Sequence, residues 1–216
     1  MKIKDTNITS TGHAGFLIEN KSTIYIDPYN LKESPKKADI ILITHSHHEH
    51  CSLKDLKKIV KENTIIIATP DSQSRLLNFK VPIHLELIEP GEEIKIKNIK
   101  ILATPAYNID KSFHKKEDKF VGYLINLKNL LIYHAGDTEV VPEMQKLTGH
   151  KNKKKYFIAL LPIGGRYTMS AEEAIDACKT IMPDLTIPMH HWENMEAIEE
   201  FKSLCEIEKI NYKILD

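Results

Sequence analysis

Residues 44–50 read Thr44-His45-Ser46-His47-His48-Glu49-His50, directly after the apolar run Ile40-Ile41-Leu42-Ile43. That run has the length and β-branched character of a buried strand. The stretch leaving its end carries imidazoles at His45, His47 and His50 and the carboxylate of Glu49. Neutral imidazole nitrogen and carboxylate oxygen are the donors that a borderline-soft divalent cation takes. A straight strand would send alternate side chains to opposite faces, whereas a turn at a strand end can fold such a cluster around one point. The stretch lies inside the chain, where no purification tag belongs. Ligand type, density and placement together predict a metal site.

The segment resembles the H-x-H-x-D-H signature of the metallo-β-lactamase superfamily, with Glu49 where that signature has aspartate. Thr11-Gly12-His13-Ala14-Gly15-Phe16-Leu17-Ile18-Glu19 and Ile26-Asp27-Pro28 are similar to the opening strands of its lactonase-like and phospholipase-D-like branch. His134-Ala135-Gly136-Asp137-Thr138 resembles the Gly-Asp-Thr motif, and Pro188-Met189-His190 the strand ending in the last histidine ligand. The resemblance spans nearly the whole chain. It implies a single metallo-hydrolase domain over residues 1–216, of α+β class, built as a four-layer αββα sandwich.

The same resemblance implies two divalent ions. His45 and His47 would hold the first, Glu49, His50 and His190 the second, and Asp137 would bridge them; a carboxylate has two oxygens and can span two cations about 3.5–4 Å apart. Without the resemblance, Asp137 also reads as a helix N-cap before 139–147. In much of the superfamily a further histidine follows the strand matching Ile101-Leu102-Ala103-Thr104-Pro105, where this chain has Ala106-Tyr107-Asn108. His114, six residues beyond Asn108, is the expected replacement. Asn108 or a water is the alternative, since catalytic zinc keeps an open coordination position.

Composition bounds the remaining classes. Thirty basic and thirty acidic residues cancel, so no global field draws nucleic acid or anionic membrane. The longest apolar runs, such as Phe157–Ile163, fall far short of a membrane span. Met1-Lys2-Ile3-Lys4-Asp5 lacks a signal-peptide core, and Cys51, Cys178 and Cys205 are too few for a disulfide framework. A cytoplasmic protein acting on a small molecule is expected.

Strands are predicted at 3–8, 15–19, 22–26, 40–43 and 64–68, then in hairpins at 94–103 and 120–134, then at 157–161 and 185–190. Ser52 and Ser170 read as helix caps, with Asp55 and Glu173 as their capping-box partners. Pro70 opens a short helix through Leu77, Met195–Cys205 forms a last helix, and Tyr212–Leu215 an edge strand. The lysine run 151–155 reads as a solvated loop.

Several residues keep two readings. His13 is a contact near the metals or a core histidine. Asp27 orients a ligand imidazole or forms an Asp-Pro turn. Gly164-Gly165-Arg166-Tyr167-Thr168 is an anion cradle with an arginine clamp or a plain glycine turn. Trp192 and Tyr107 line a pocket or pack in the core. Cys51 reads as a packed, inert thiol rather than a ligand.

The function expected is a metal-dependent hydrolase in which a metal-bridging hydroxide attacks a small ester, lactone or phosphoester, with Glu49 and Asp137 as catalytic carboxylates. Zinc suits the imidazoles, and manganese or iron would tolerate the carboxylates. A non-catalytic metal-binding protein of the same fold is the alternative. A nucleic-acid processing role is disfavoured by the neutral charge and the lack of an aromatic-basic stripe.

Overall fold

The run Ile40–Ile43 is a strand buried along its whole length and lies inside a seven-stranded sheet. The computed structural model describes residues 1–77, 79–150, 155–192 and 194–215. It divides into two compact units, Met1–Glu89 with the chain end from Leu215, and Pro90–Ile214.

In the first unit, β1 (Lys2–Ile3), β2 (Thr6–Gly12), β3 (Gly15–Glu19), β4 (Thr23–Ile26), β5 (Ile40–Ile43), β6 (Thr64–Ala68) and β7 (Ile83–Leu87) lie side by side in chain order. β1 to β4 form an antiparallel meander, and β4 to β7 pair in parallel. Parallel neighbours require crossovers. α1 (Leu53–Ile59) supplies one between β5 and β6, and a 3-10 turn at Pro70–Ser72 running into α2 (Gln73–Leu76) supplies the next. Ile41, Ile43, Cys51, Leu56, Ile59 and Ile66 pack together beneath α1. The near-continuous isoleucine content of β5 and β6 fits strands covered on both faces.

Ser52 caps α1 by accepting the Asp55 N–H. Asp55 does not complete a capping box as the sequence suggested. Its buried carboxylate accepts instead from the N–H groups of Asn30 (3.1 Å) and Leu31 (3.0 Å), from Ser52 Oγ (2.7 Å) and from Lys58 Nζ (2.9 Å). The helix start is thereby tied to the loop that follows β4.

The second unit repeats the plan. β8 (Glu93–Ile96), β9 (Ile99–Pro105), β10 (Val121–Asn126) and β11 (Leu130–His134) are successive antiparallel neighbours. β12 (Tyr156–Pro162) and β13 (Leu185–Met189) then add in parallel, giving six strands. α3 (Ala171–Ile181) is the crossover from β12 to β13, and its Ser170–Glu173 capping box is formed in both directions. α4 (Met195–Glu208) starts at Asn194, whose side chain accepts from the N–H groups of Glu196 and Ala197.

The structure departs from the expected elements in three further places. The strand expected at 3–8 is broken into β1 and β2 at a tight reversal where Lys4 has φ 54°. β7 was not anticipated, although Ile83-His84-Leu85-Glu86 alternates as an edge strand should. The closing strand shrinks to an isolated bridge between Thr186 and Tyr212. The lysine run lies outside the described residues except for Lys155.

Candidate metal centre

In each unit the functional side chains leave the C-terminal ends of parallel strands, the usual place for ligands in open sheets of this kind. In the first unit β4 delivers Asp27 and β5 delivers Thr44 and His45, all fully buried. The Asp27 carboxylate accepts the Thr44 N–H (2.9 Å), the Thr44 hydroxyl (2.6 Å) and His50 Nδ1 (2.7 Å). Thr44 Oγ1 has given its one proton to Asp27, so toward His45 Nδ1 at 2.9 Å it can only accept. His45 therefore carries its proton on Nδ1, and His50 does likewise. Both rings are thereby held through Nδ1, as a metal-ligating histidine usually is by its second partner.

The rings converge. His45 and His50 have centroids 4.1 Å apart, and His45 Nε2 lies 3.0 Å from His47 Nδ1. Two ligands on one tetrahedral ion with bonds of 2.0–2.1 Å would be about 3.3 Å apart. The turn is closed by the N–H groups of His50 and Cys51 bonding the His47 carbonyl, and its outer edge by Ser46 N–H on Asp71. His13 also reaches the cluster, edge-on to His50 with centroids 5.6 Å apart. Glu49 is half-buried and falls in neither group of mutually close donor atoms, His45 and His47 lying in one and His13 and His50 in the other. Cys51 is fully buried, and burial pushes its thiol up to about 12, as an inert packed residue requires.

In the second unit Asp137 follows β11 through Gly136, which has φ 68° and whose missing Cβ would sit 2.6 Å from the Val121 carbonyl oxygen. Only glycine allows this approach. Asp137 Oδ2 lies 3.0 Å from His190 Nε2 and 3.4 Å from His114 Nε2. His114 is not an exposed loop residue; it is 5 % exposed. Its Nδ1 faces the Tyr167 carbonyl at 3.1 Å, which can only accept, so the proton belongs on Nδ1. His114 is thus held through Nδ1, with Nε2 toward a carboxylate oxygen that His190 Nε2 also faces. Two imidazoles around one carboxylate oxygen are a donor set that suits a divalent cation.

The loop bearing His114 is stapled in place. The Asn108 N–H bonds the His114 carbonyl (2.7 Å), and Asn108 Nδ2 donates to the carbonyls of Tyr167 (2.7 Å) and Phe113 (2.9 Å). Glu139 accepts the N–H groups of Ile109 and Asp110 and pairs with Lys111. Tyr107 is held away from the ligands by donating to Glu143. A cavity of about 410 Å³ beside His190 is lined by Arg166, Tyr167, His191 and the half-exposed Trp192. The donor set fits divalent metal in both units: imidazole lone pairs in one, imidazoles around a carboxylate in the other.

The comparisons agree with this chemistry. The model of the β-lactamase superfamily domain matches residues 7–190. A metal-dependent hydrolase of Methanosarcina mazei is 33 % identical, covering 98 % of this chain and 95 % of that protein. A solved structure from Parabacteroides distasonis, assigned to the metal-dependent hydrolases, is 31 % identical with a TM-score of 0.83, covering 98 % of this chain and 94 % of its own. A metallo hydrolase from the archaeon Ignicoccus hospitalis, 24 % identical with a TM-score of 0.76 over 98 % of this chain and 95 % of its own, shares the fold. The expected fold holds: two mixed sheets with helices, an α+β sandwich of metallo-β-lactamase type. No helix among the described residues is long and apolar enough to cross a membrane. By sequence, fold and donor chemistry, the chain belongs to the metallo-β-lactamase superfamily, among its UPF0173 metal-dependent hydrolases.

Proposed function

We propose that this chain is a dinuclear, zinc-using hydrolase of a small ester, lactone or phosphoester. His45, His47 and His114 are the ligands of one ion, His50 and His190 belong to the other, and Asp137 serves both. The observation that carries the reading is the pairing of Asp137 Oδ2 with two imidazole Nε2 atoms, those of His114 and His190. An imidazole majority among the donors favours zinc over manganese or iron. When bound, such ions lower the pKa of water to about 7 and polarise a carbonyl or phosphoryl oxygen.

The chain's own residues do the rest. Asp27 fixes the tautomer of His50 directly and that of His45 through Thr44, and the Tyr167 carbonyl fixes His114. Orientation set beforehand removes reorganisation from the chemical step. Arg166, Tyr167 and Trp192 supply a cationic and aromatic wall beside His190 for the substrate's non-reacting part. Glu49, half-buried on the ligand turn, carries a proton to the leaving group in this reading. Three free, buried thiols support a reducing, cytoplasmic setting.

The test is chelation followed by zinc or manganese addition, read on generic lactone, ester and phosphodiester substrates. Hydrolysis should vanish and return while circular dichroism stays unchanged, because the two sheets bury their own cores. Unfolding on chelation would make the metals structural and end the catalytic reading.

A further inference from the structure

His13 occupies the two-residue connection between β2 and β3, where its φ is 52°. Few residues other than glycine adopt that left-handed region, and histidine, like asparagine, is enriched among them. The neighbouring backbone leaves it little choice. A Cβ at Gly15 would stand 2.4 Å from Thr11 Oγ1 and 2.8 Å from the Asp27 carbonyl oxygen, so the turn is pressed against Asp27. The carboxylate of that same Asp27 holds His50 Nδ1. His13 and His50 are thus located by one residue, from two sides.

The outcome is an edge-on pair of imidazoles with centroids 5.6 Å apart and a donor atom of each within 4.8 Å of the other. Tyr29 flanks His13 on another side with its ring centroid 6.3 Å away. Because Nδ1 of His50 is committed to Asp27, Nε2 is its donor atom. Ligands sharing a tetrahedral ion lie about 3.3 Å apart, and donor atoms already within 4.8 Å have little distance to close. Glu49 is the competing candidate. It is outside the converging donors, and its extra methylene relative to aspartate adds a torsion that binding would have to freeze.

Resting on the two-metal reading above, we infer that His13 is a metal ligand in this chain and that it, rather than Glu49, completes the set containing His50. An imidazole in place of a carboxylate leaves the pair of ions one unit more positive. That favours a substrate bearing negative charge, a phosphoester over a lactone.

Elemental analysis of zinc-reconstituted wild type, His13→Asn and Glu49→Gln decides the matter. Asparagine keeps the left-handed backbone but does not replace an imidazole. Wild type and Glu49→Gln should each hold two ions per chain, and His13→Asn about one with unchanged circular dichroism. Loss of an ion in Glu49→Gln, or two ions in His13→Asn, overturns the inference and leaves the two-metal reading standing. A wild type that holds none overturns that reading as well. Should His13→Asn fail to fold, Glu49→Gln alone decides by the same criterion.

Discussion

His13, Asp27, His114 and His190 all have positive φ, between 42° and 54°. Outside glycine that conformation costs of order 1–3 kcal/mol and persists only where the surroundings over-determine it. Here the surroundings are visible: Asp27 carries three hydrogen bonds, and the His114 loop is held by Asn108 and Glu139. Asp27→Asn tests how much the carboxylate adds, since asparagine tolerates the same backbone. The carboxylate charge facing His50 Nδ1 would be gone. Metal affinity should fall roughly 10–100-fold, measured by competition with a chromogenic chelator, with the fold retained. Unchanged affinity would reduce Asp27 to a turn residue. His114→Ala should weaken binding of one ion severalfold or more with circular dichroism unchanged; unaltered metal content would return that position to Asn108 or water.

Among the elements, α1 depends most on a single side chain. Asp55 is buried and ties the helix start to the N–H groups of residues 30 and 31. Asp55→Ala would strand those donors and Lys58, costing about 2–4 kcal/mol. For a chain of this length that lowers Tm by roughly 5–15 °C, read by thermal denaturation. The role of Asp55 was not legible in the sequence, because its partners lie in a loop 24 and 25 positions away. What was legible had local signals. β5, β6 and the two hairpins of the second unit announced themselves by apolar runs and turn residues, and α3 by its capping box. The site split along the same line. The density of histidines at 45–50 and the strand-end position of Asp137 and His190 could be read directly. The approach of His13 to His50 could not, because it follows from how the β2–β3 turn meets β4. That Glu49 is half-buried and outside the groups of close donor atoms is equally a tertiary outcome.

Across the whole molecule, two buried carboxylates contribute to the loss of stability in acid. Burial works to raise the carboxyl of Asp55, but Lys58, Ser52 and the Leu31 N–H outweigh it and hold it below its ordinary 3.8. At Glu139 burial is likewise outweighed by Lys111 and the N–H groups of Asp110 and Ile109, leaving it below 4.5. Groups depressed on folding stabilise the native state above their unfolded values, and that contribution is lost as pH falls through the folded ones. Urea denaturation of the chelated protein should show stability nearly level from about pH 7 to 5 and falling below about pH 4. Rising stability below pH 4 would contradict the sign.

The central claim, that these histidines and Asp137 together hold two catalytic ions, is tested most directly by counting metal. Purified protein equilibrated with zinc and freed of excess should contain two ions per chain by elemental analysis. Asp137→Ala, prepared alongside, should lose at least one of them and all measurable hydrolysis. A wild type that retains no zinc, or an Asp137→Ala protein with two ions and full turnover, would contradict the account.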